Sequence, residues 1–201
     1  QEKNCFTVVG PEAPLANGIV DKFHEKYMPI FGPSKNAAQL ESSKIWAKEF
    51  MKRNSIPTAD FEIFDDAQKA KDFVKSYGKP VVIKADGLAA GKGVIVCDTK
   101  DEANDAIDTI LTKKTFGDAG SKIIVEERID GIEASYIALC DGKVGIPMAT
   151  SQDHKRIFDN DKGPNTGGMG AYSPTPIIDD KLASEIQEKI IDKTIVSMNK
   201  E

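Results

Sequence analysis

The stretch 79–96 combines the residue types that bind phosphate groups. Two β-branched runs, 81–83 and 94–96, flank a loop with three glycines. Val and Ile favour packed strands, and glycines let backbone amides approach an anion without a Cβ in the way. Lys84 ends the first run and Lys92 lies within the loop, so both add positive charge. The stretch therefore predicts a phosphate-binding strand–loop–strand hairpin.

The loop differs from the P-loop motif, G-x-x-x-x-G-K-[ST], in its length, its chemistry and the element after it. Residues 87–93 are one residue too short, and Gly93 stands where the motif needs a magnesium-binding hydroxyl. The element after the loop is a strand-like run, whereas a P-loop leads into a helix. We therefore predict a hairpin that folds over a nucleotide, with a flexible surface turn as the alternative.

The composition is that of an ordinary soluble globular protein, with 201 residues, 40% hydrophobic and 29% charged. A net charge of −5 disfavours nucleic acid as a partner. Three cysteines and two histidines are too few for a disulfide framework or a Cys/His zinc site. Because no apolar run approaches membrane-spanning length and no leader opens the chain, we expect a cytoplasmic protein without a membrane partner.

The first forty residues predict part of a parallel α/β unit, with a strand at 5–9, a helix around 19–23 and a short strand at 30–31. Ligands of such sheets lie at the carboxyl ends of strands. Residues at the end of the first strand are therefore substrate-binding candidates, with a Pro-rich turn as the alternative: Gly10, Pro11 and Glu12.

The next helix begins at Ser42 or Ser43, either of which can cap it. Lys44 lies in its first turn, where the helix dipole disfavours a cation. A solvated lysine is the simplest interpretation, but a nearby nucleotide phosphate explains the placement better.

The middle of the chain predicts a compact α+β lid in which two helices pack on a small hairpin sheet. Asp65 and Gln68 form a capping-box pair for a helix over 65–77. Thr99 and Glu102 form a second capping box ahead of a helical apolar stripe.

Three glutamates surround a sharp connection between predicted strands at 122–127 and 133–140: Glu126, Glu127 and Glu133. A nucleotide wedged there could donate its adenine amino group to a strand-end carboxylate and its ribose hydroxyls to Glu133. Solvated carboxylates are the alternative. Asp141-Gly142 then predicts a hairpin turn.

Residues 150–174 show little hydrophobic period, which predicts a long loop that is functional or, alternatively, disordered. Four consecutive residues carry both charge signs for a zwitterionic or phosphorylated substrate: Asp153, His154, Lys155 and Arg156. Glycines at 167, 168 and 170 permit close backbone approach. An amphipathic helix follows.

Five segments, in order along essentially the whole chain, resemble the glycinamide ribonucleotide synthetases, or phosphoribosylamine–glycine ligases, of the ATP-grasp superfamily. They are residues 9–15, 39–44, 84–94, 152–156 and 163–172. The resemblance implies an α/β and α+β chain with the ATP-grasp fold. It also implies an ATP-dependent carboxylate–amine ligase of purine biosynthesis, whose partners are ATP, glycine and 5-phosphoribosylamine. Glycyl phosphate is the implied intermediate.

The resemblance also implies roles for individual residues, although it assigns no catalytic residue. Lys44 and Lys84 would face the phosphates, beneath a flap that includes four residues: Gly87, Gly91, Lys92 and Gly93. The adenine and ribose contacts would be Glu126, Glu127, the backbone of Ile129, and Glu133. The glycine and ribosylamine side would contain Gly10 to Glu12, the 153–156 segment, and five later residues: Asn165, Thr166, Gly167, Gly168 and Met169.

The resemblance implies a division into four parts. They are the end of an N-terminal α/β domain (1–40), a linking helix (41–59), the ATP-grasp lid (60–127) and part of the large ATP-grasp subdomain (128–201). The family's first strand–loop unit and its later segment with Mg²⁺ (or Mn²⁺) ligands are missing from this chain. We therefore expect residues 1–201 alone to bind ATP weakly and not to catalyse. Another ATP-grasp ligase and a non-catalytic nucleotide-binding fragment are the alternatives.

Overall fold

The computed structural model describes residues 5–87, 93–160 and 162–201, apart from the side chains of residues 118, 164 and 165. The chain forms two compact units. The first contains Gln1–Lys52 and Thr58–Ile129, and the second contains Arg53–Pro57 and Asp130–Glu201. None of the described helices is long and apolar enough to cross a lipid bilayer.

The first unit begins with the predicted parallel α/β arrangement. Its elements are β1 (Thr7–Val8), α1 (Glu12–Ala16), α2 (Ile19–Glu25), β2 (Ile30–Phe31) and α3 (Gln39–Ser42). Strands β1 and β2 pair in parallel, which confirms the α/β prediction. A helix begins at Glu12, where the sequence predicts only a chain break. Pro14 fits because the first-turn amides of a helix have no partner within the helix.

Helix α4 (Lys44–Arg53) begins as predicted after a serine. Ser43 Oγ accepts a hydrogen bond from the Trp46 amide at 3.1 Å, so Ser43 caps the helix. Phe50 is fully buried and stacks on Trp46, with ring centres 5.1 Å apart.

The rest of the first unit is a four-stranded antiparallel sheet in the order β3-β6-β4-β5. Its elements are β3 (Phe61–Phe64), α5 (Ala67–Tyr77), β4 (Val81–Ala85), β5 (Val94–Cys97), α6 (Lys100–Ile107) and β6 (Ile123–Glu127). Helix α6 continues as π-helical turns over Asp108–Thr112, and a 3-10 turn follows at Gly117–Gly120. The predicted hairpin and its packing with two helices are confirmed. Strand β3 was not predicted, because its short apolar run follows a linker-like stretch.

One face of this sheet forms the core with α5 and α6. Alternate residues of β4 are buried there: Val81, Ile83 and Ala85. The start of α5 corrects the sequence prediction by one residue, because Asp66, and not Asp65, accepts the Lys69 amide at 2.8 Å. Gln68 donates instead to Asp72. The second capping box, of Thr99 and Glu102, is confirmed.

The second unit contains two hairpins and a C-terminal helix. Its elements are β7 (Ala138–Cys140), β8 (Gly145–Pro147), β9 (Gln152–Phe158), β10 (Lys162–Tyr172), α7 (Asp180–Ile186), π-helical turns (Gln187–Asp192) and α8 (Lys193–Met198). The hairpin around Asp141 and the final helix are confirmed. The strand predicted at 133–140 is shorter, with Ser135 making only an isolated bridge to Ser151.

The prediction of a long loop at 150–174 is wrong, because β9 and β10 form an antiparallel hairpin there. A strand ladder is held by backbone hydrogen bonds, so a hairpin with polar side chains on both faces shows no apolar alternation. The register shifts twice, between Lys162 and Asn165 and between Asn165 and Gly170.

Candidate nucleotide-binding site

The second face of the four-stranded sheet carries the charged candidates of the first unit. Lys84 lies opposite Val94 on β5 and Ile124 on β6, and Glu126 lies opposite Val82. Because side chains alternate between faces along a strand, Lys84 and Glu126 are diagonal neighbours on one face. Lys84, predicted to face phosphate, and Glu126, predicted to contact adenine, are therefore neighbours on this face.

Glu126 forms ion pairs with two lysines. Its Oε1 accepts a hydrogen bond from Lys48 Nζ at 2.9 Å, and its Oε2 contacts Lys84 Nζ. The carboxylate is buried, with Glu126 only 8% exposed, whereas Lys84 keeps about a quarter of its side chain exposed at 27%. We call these three residues the buried cluster. It carries two positive charges and one negative charge, which suits an anionic ligand.

Lys48 is the member that sequence reasoning missed. It is 6% exposed, and its Nζ also donates to Thr58 Oγ1 at 2.6 Å and to the Ala59 carbonyl at 2.8 Å. Burial lowers the pKa of Lys48, while its hydrogen bond to Glu126 acts in the opposite direction. The available signal was its position four residues after Lys44, on the same helical face.

The start of α4 is tied to the segment that enters the glycine-rich loop. Asp86 accepts hydrogen bonds from Ser43 Oγ and from the Ile45 amide, each at 3.1 Å. Lys44 Nζ donates to the Gly87 carbonyl at 2.8 Å. Gly87 has φ 88°, a conformation that favours glycine. Lys44 is thereby held beside the loop, as a phosphate-facing residue would need to be.

The remaining candidates of the first unit occupy separate places. The Gly93 carbonyl accepts the Ala85 amide at 2.8 Å, which closes the base of the hairpin. Glu127 ends β6 opposite Val81, and Ile129 follows with its side chain 67% exposed. Gly91 and Lys92 lie outside the described residues.

The substrate candidates of the first unit follow β1. Gly10 has open space where a Cβ would lie. Pro11 is the N-cap residue of α1, and Glu12 occupies its first turn, where a carboxylate suits the helix dipole.

In the second unit, Lys155 contacts two carboxylates. Its Nζ lies 2.5 Å from Glu133 Oε1 and 3.6 Å from Asp153 Oδ2. The hydrogen bond to Glu133 raises the pKa of Lys155. The Glu133 side chain is 68% exposed, and those of Lys155 and Asp153 are partly exposed at 40% and 34%. We call them the exposed cluster, and it joins one predicted ribose contact to two predicted substrate residues.

The other candidates on the hairpin form local contacts. The His154 ring stacks on Tyr172, with centres 6.0 Å apart, and Arg156 donates to the Gly163 carbonyl at 3.4 Å. Thr166 Oγ1 donates to the Lys155 carbonyl at 2.8 Å and accepts the Gly168 amide at 3.0 Å. Thr166 therefore links the two strands by a side-chain hydrogen bond.

The last candidates lie along β10. Gly167 is exposed and Met169 is 59% exposed, while Asn165 pairs with Arg156 in the strand register. The side chain of Asn165 lies outside the described part of the chain. Across residues 5–87, 93–160 and 162–201, no group of three or more His, Cys, Asp or Glu side chains could hold a metal ion.

Known proteins resemble this chain in sequence and in fold. The phosphoribosylglycinamide synthetase N domain matches residues 1–41, and the ATP-grasp (A) domain of the same synthetase matches residues 42–201. The phosphoribosylamine–glycine ligase of Ralstonia nicotianae is 57% identical over 196 residues, which cover 98% of this chain and 46% of that protein. The chain thus spans about half the length of the curated relatives it matches.

Solved structures show the same fold. The phosphoribosylamine–glycine ligase of Thermotoga maritima superposes with a TM-score of 0.83 at 34% identity, covering 99% of this chain and 48% of that one. The biotin carboxylase domain of Hydrogenobacter thermophilus 2-oxoglutarate carboxylase was solved with MgADP. It superposes with a TM-score of 0.72 at 20% identity, covering 95% of this chain and 42% of that one.

The fold is that of the ATP-grasp enzymes, with a mixed α/β architecture. Within that class, the chain belongs to the phosphoribosylglycinamide synthetase family.

Proposed function

We propose that this chain is the nucleotide-binding part of an ATP-dependent ligase that joins glycine to 5-phosphoribosylamine, giving glycinamide ribonucleotide, ADP and phosphate. Membership of the family supports the reaction. The observation that carries the nucleotide assignment is the buried cluster on the second face of the sheet. Lys84 lies there beside Val94 and Val96, two partly exposed valines that offer an apolar surface to a planar base.

The chemistry requires charge neutralisation. An amine cannot readily displace oxygen from a carboxylate, so ATP first transfers its γ-phosphoryl group to the glycine carboxylate and leaves as ADP. The amine of phosphoribosylamine then attacks the acyl phosphate, forming the amide bond and releasing phosphate. Lys44, Lys84 and the loop residue Lys92 are the groups proposed to offset phosphate charge, while Glu126 and the backbone at Ile129 are the proposed adenine contacts.

We place the glycine and ribosylamine side on two parts of the chain, the segment Gly10 to Glu12 and the β9–β10 hairpin. The hairpin supports this proposal because Asp153 and Lys155, both on β9, offer the two charge signs that a zwitterion needs. The four-part division at residues 40, 59 and 127 remains a prediction. We propose that the complete protein uses Mg²⁺ or Mn²⁺, bound by residues other than those described, and acts in the cytoplasm.

The test uses the complete product of the gene that contains this chain. ADP release should require glycine and phosphoribosylamine together, and Lys84→Met should lower it at least about a hundredfold because a charged phosphate contact is lost. Lys79→Met is the matched control, since Lys79 lies just before β4 and its Nζ lies 5.9 Å from the Tyr77 ring. Equal ADP release with other acid–amine pairs would indicate a different ATP-grasp ligase, and absence of ATP binding would refute the proposal.

A further inference from the structure

Lys48 has a complete set of hydrogen-bond partners. A lysine ammonium group has three N–H donors, and Nζ lies within 2.9 Å of three acceptors: Thr58 Oγ1, the Ala59 carbonyl and Glu126 Oε1. The Phe61 ring centre lies 4.9 Å away. Lys48 therefore has no donor left for a ligand, and its position is fixed from several directions.

Lys48 also determines how the Glu126 carboxylate is shared. The Lys48 ammonium group contacts Glu126 Oε1, and Glu126 Oε2 contacts Lys84. Without Lys48, the buried carboxylate would have Lys84 as its counter-charge, and the two would form a neutral pair. With Lys48 present, the buried cluster keeps one net positive charge. Lys84 can then offer donors to an anion while Lys48 balances the charge of the Glu126 carboxylate.

We propose that Lys48 is a positioning residue for nucleotide binding, which holds the Glu126 carboxylate where it can accept from the adenine amino group and which leaves Lys84 available to phosphate. The inference rests on the proposed function, because it assumes that the ligand is ATP. In this proposal the Glu126 carboxylate recognises the adenine amino group, and the buried Lys48 ammonium group holds that carboxylate in position.

The competing explanation is that Lys48 only fastens α4 to the sheet. Lys52 separates the two explanations. It lies one turn later on the same helix, with its Nζ 5.2 Å from the centre of the same Phe61 ring, and it is exposed. Lys52→Met therefore removes an equal charge and a similar ring contact without altering the carboxylate.

The experiment measures dissociation constants for ATP and for inosine triphosphate by calorimetry on the complete gene product. Inosine triphosphate carries a carbonyl where adenine has its amino group. Lys48→Met should weaken ATP binding about tenfold and inosine triphosphate binding less, because a misplaced carboxylate loses the amino contact. Thr58→Val, which removes one acceptor and keeps the charge, should lower the ATP preference about threefold. Lys52→Met should leave the preference unchanged.

Two results separate failure of the inference from failure of the proposed function. If wild-type protein binds ATP and the Lys48 variant keeps its preference for ATP while only its melting temperature falls, Lys48 is structural and the inference is overturned. If wild-type protein binds neither nucleotide, the proposed function itself fails. Should Lys48→Met not fold, the ATP preference of Thr58→Val decides between the two explanations.

Discussion

The two units hold ion-pair clusters of opposite composition. In the buried cluster, one carboxylate is shared by two lysines, whereas in the exposed cluster one lysine is shared by two carboxylates. Glu126 has a side chain only 10% exposed, and Glu133 is 68% exposed. The first cluster is therefore positive and fixed, and the second is negative and open to water.

This difference in burial determines what each cluster can do. An uncompensated charge in a buried site is costly, so the members of the buried cluster depend on one another. Exposed pairs contribute little because water and salt compete with them. The exposed cluster can consequently exchange partners when a ligand brings its own ammonium or carboxylate group, as a zwitterionic amino acid does.

The strongest test of this contrast is Glu126→Gln. The substitution leaves two lysine charges close together in a buried site, so we expect a loss of about 3–5 kcal/mol in the free energy of unfolding. Trp46, the sole tryptophan, lies in the same unit and reports the transition by fluorescence during urea unfolding. A loss below about 1 kcal/mol would place Glu126 with ordinary surface carboxylates.

The same contrast of burial extends to the cysteines. Cys97 is fully buried, and burial together with the charge of Glu102 raises its pKa to about 11, from 9.0. A raised pKa favours the protonated thiol in the folded state, so this stabilisation is complete below pH 9 and is lost as pH rises toward 11. We expect it to be about 3 kcal/mol, measured as the difference in pH dependence between wild type and Cys97→Ala. Alkylation should modify the exposed Cys5 and Cys140 before Cys97, and rapid labelling of native Cys97 would contradict the assignment.

A hydrophobic replacement sharpens the comparison further. Buried ion pairs can often be exchanged for apolar side chains of similar size with little loss of stability. For the double variant Lys48→Met with Glu126→Leu, we expect a free energy of unfolding within about 1 kcal/mol of the wild-type value, although ATP binding should be lost. Thermal unfolding and calorimetric titration measure the two effects. A double variant as unstable as Glu126→Gln would show that the cluster is needed for folding.

The smallest effect is expected in the exposed cluster. Glu133→Gln should change the free energy of unfolding by at most about 1 kcal/mol, and by less in high salt, because the ion pair of Glu133 with Lys155 is exposed. Hydrogen exchange followed by mass spectrometry can measure the stability of the second unit directly. A loss comparable to that of Glu126→Gln would remove the distinction between the clusters.

Local signals in the sequence predicted the local structure well. The Thr99–Glu102 capping box, the serine cap of α4 and the hairpin around the glycine-rich loop are all confirmed. Each depends on residues close together in sequence. Where two adjacent aspartates compete for the same role, as Asp65 and Asp66 do, the sequence alone does not choose between them.

Long-range contacts were beyond such reasoning. Lys48 and Glu126 are 78 residues apart, and the spacing of Lys48 from Lys44 places it on a helical face without showing that its ammonium group is buried. Strand β3 acquires its structure from pairing with β6, much later in the chain, and not from its own short run. The β9–β10 hairpin was missed because its ladder lacks an apolar face. The family resemblance points to Lys84 and Glu126, but only the fold shows that they share a face.

The buried cluster also has a kinetic consequence, because it is a positive site on a chain of net charge −5. At about 0.01 M salt, where the screening length is about 30 Å, an approaching triphosphate meets the overall repulsion. At roughly 0.1 M salt that length is about 10 Å, and the local attraction of the cluster prevails. Added salt therefore screens the long-range repulsion first, so association should accelerate while the equilibrium affinity falls. Stopped-flow measurements at two ionic strengths would show these opposite trends, which a uniformly basic site would not produce.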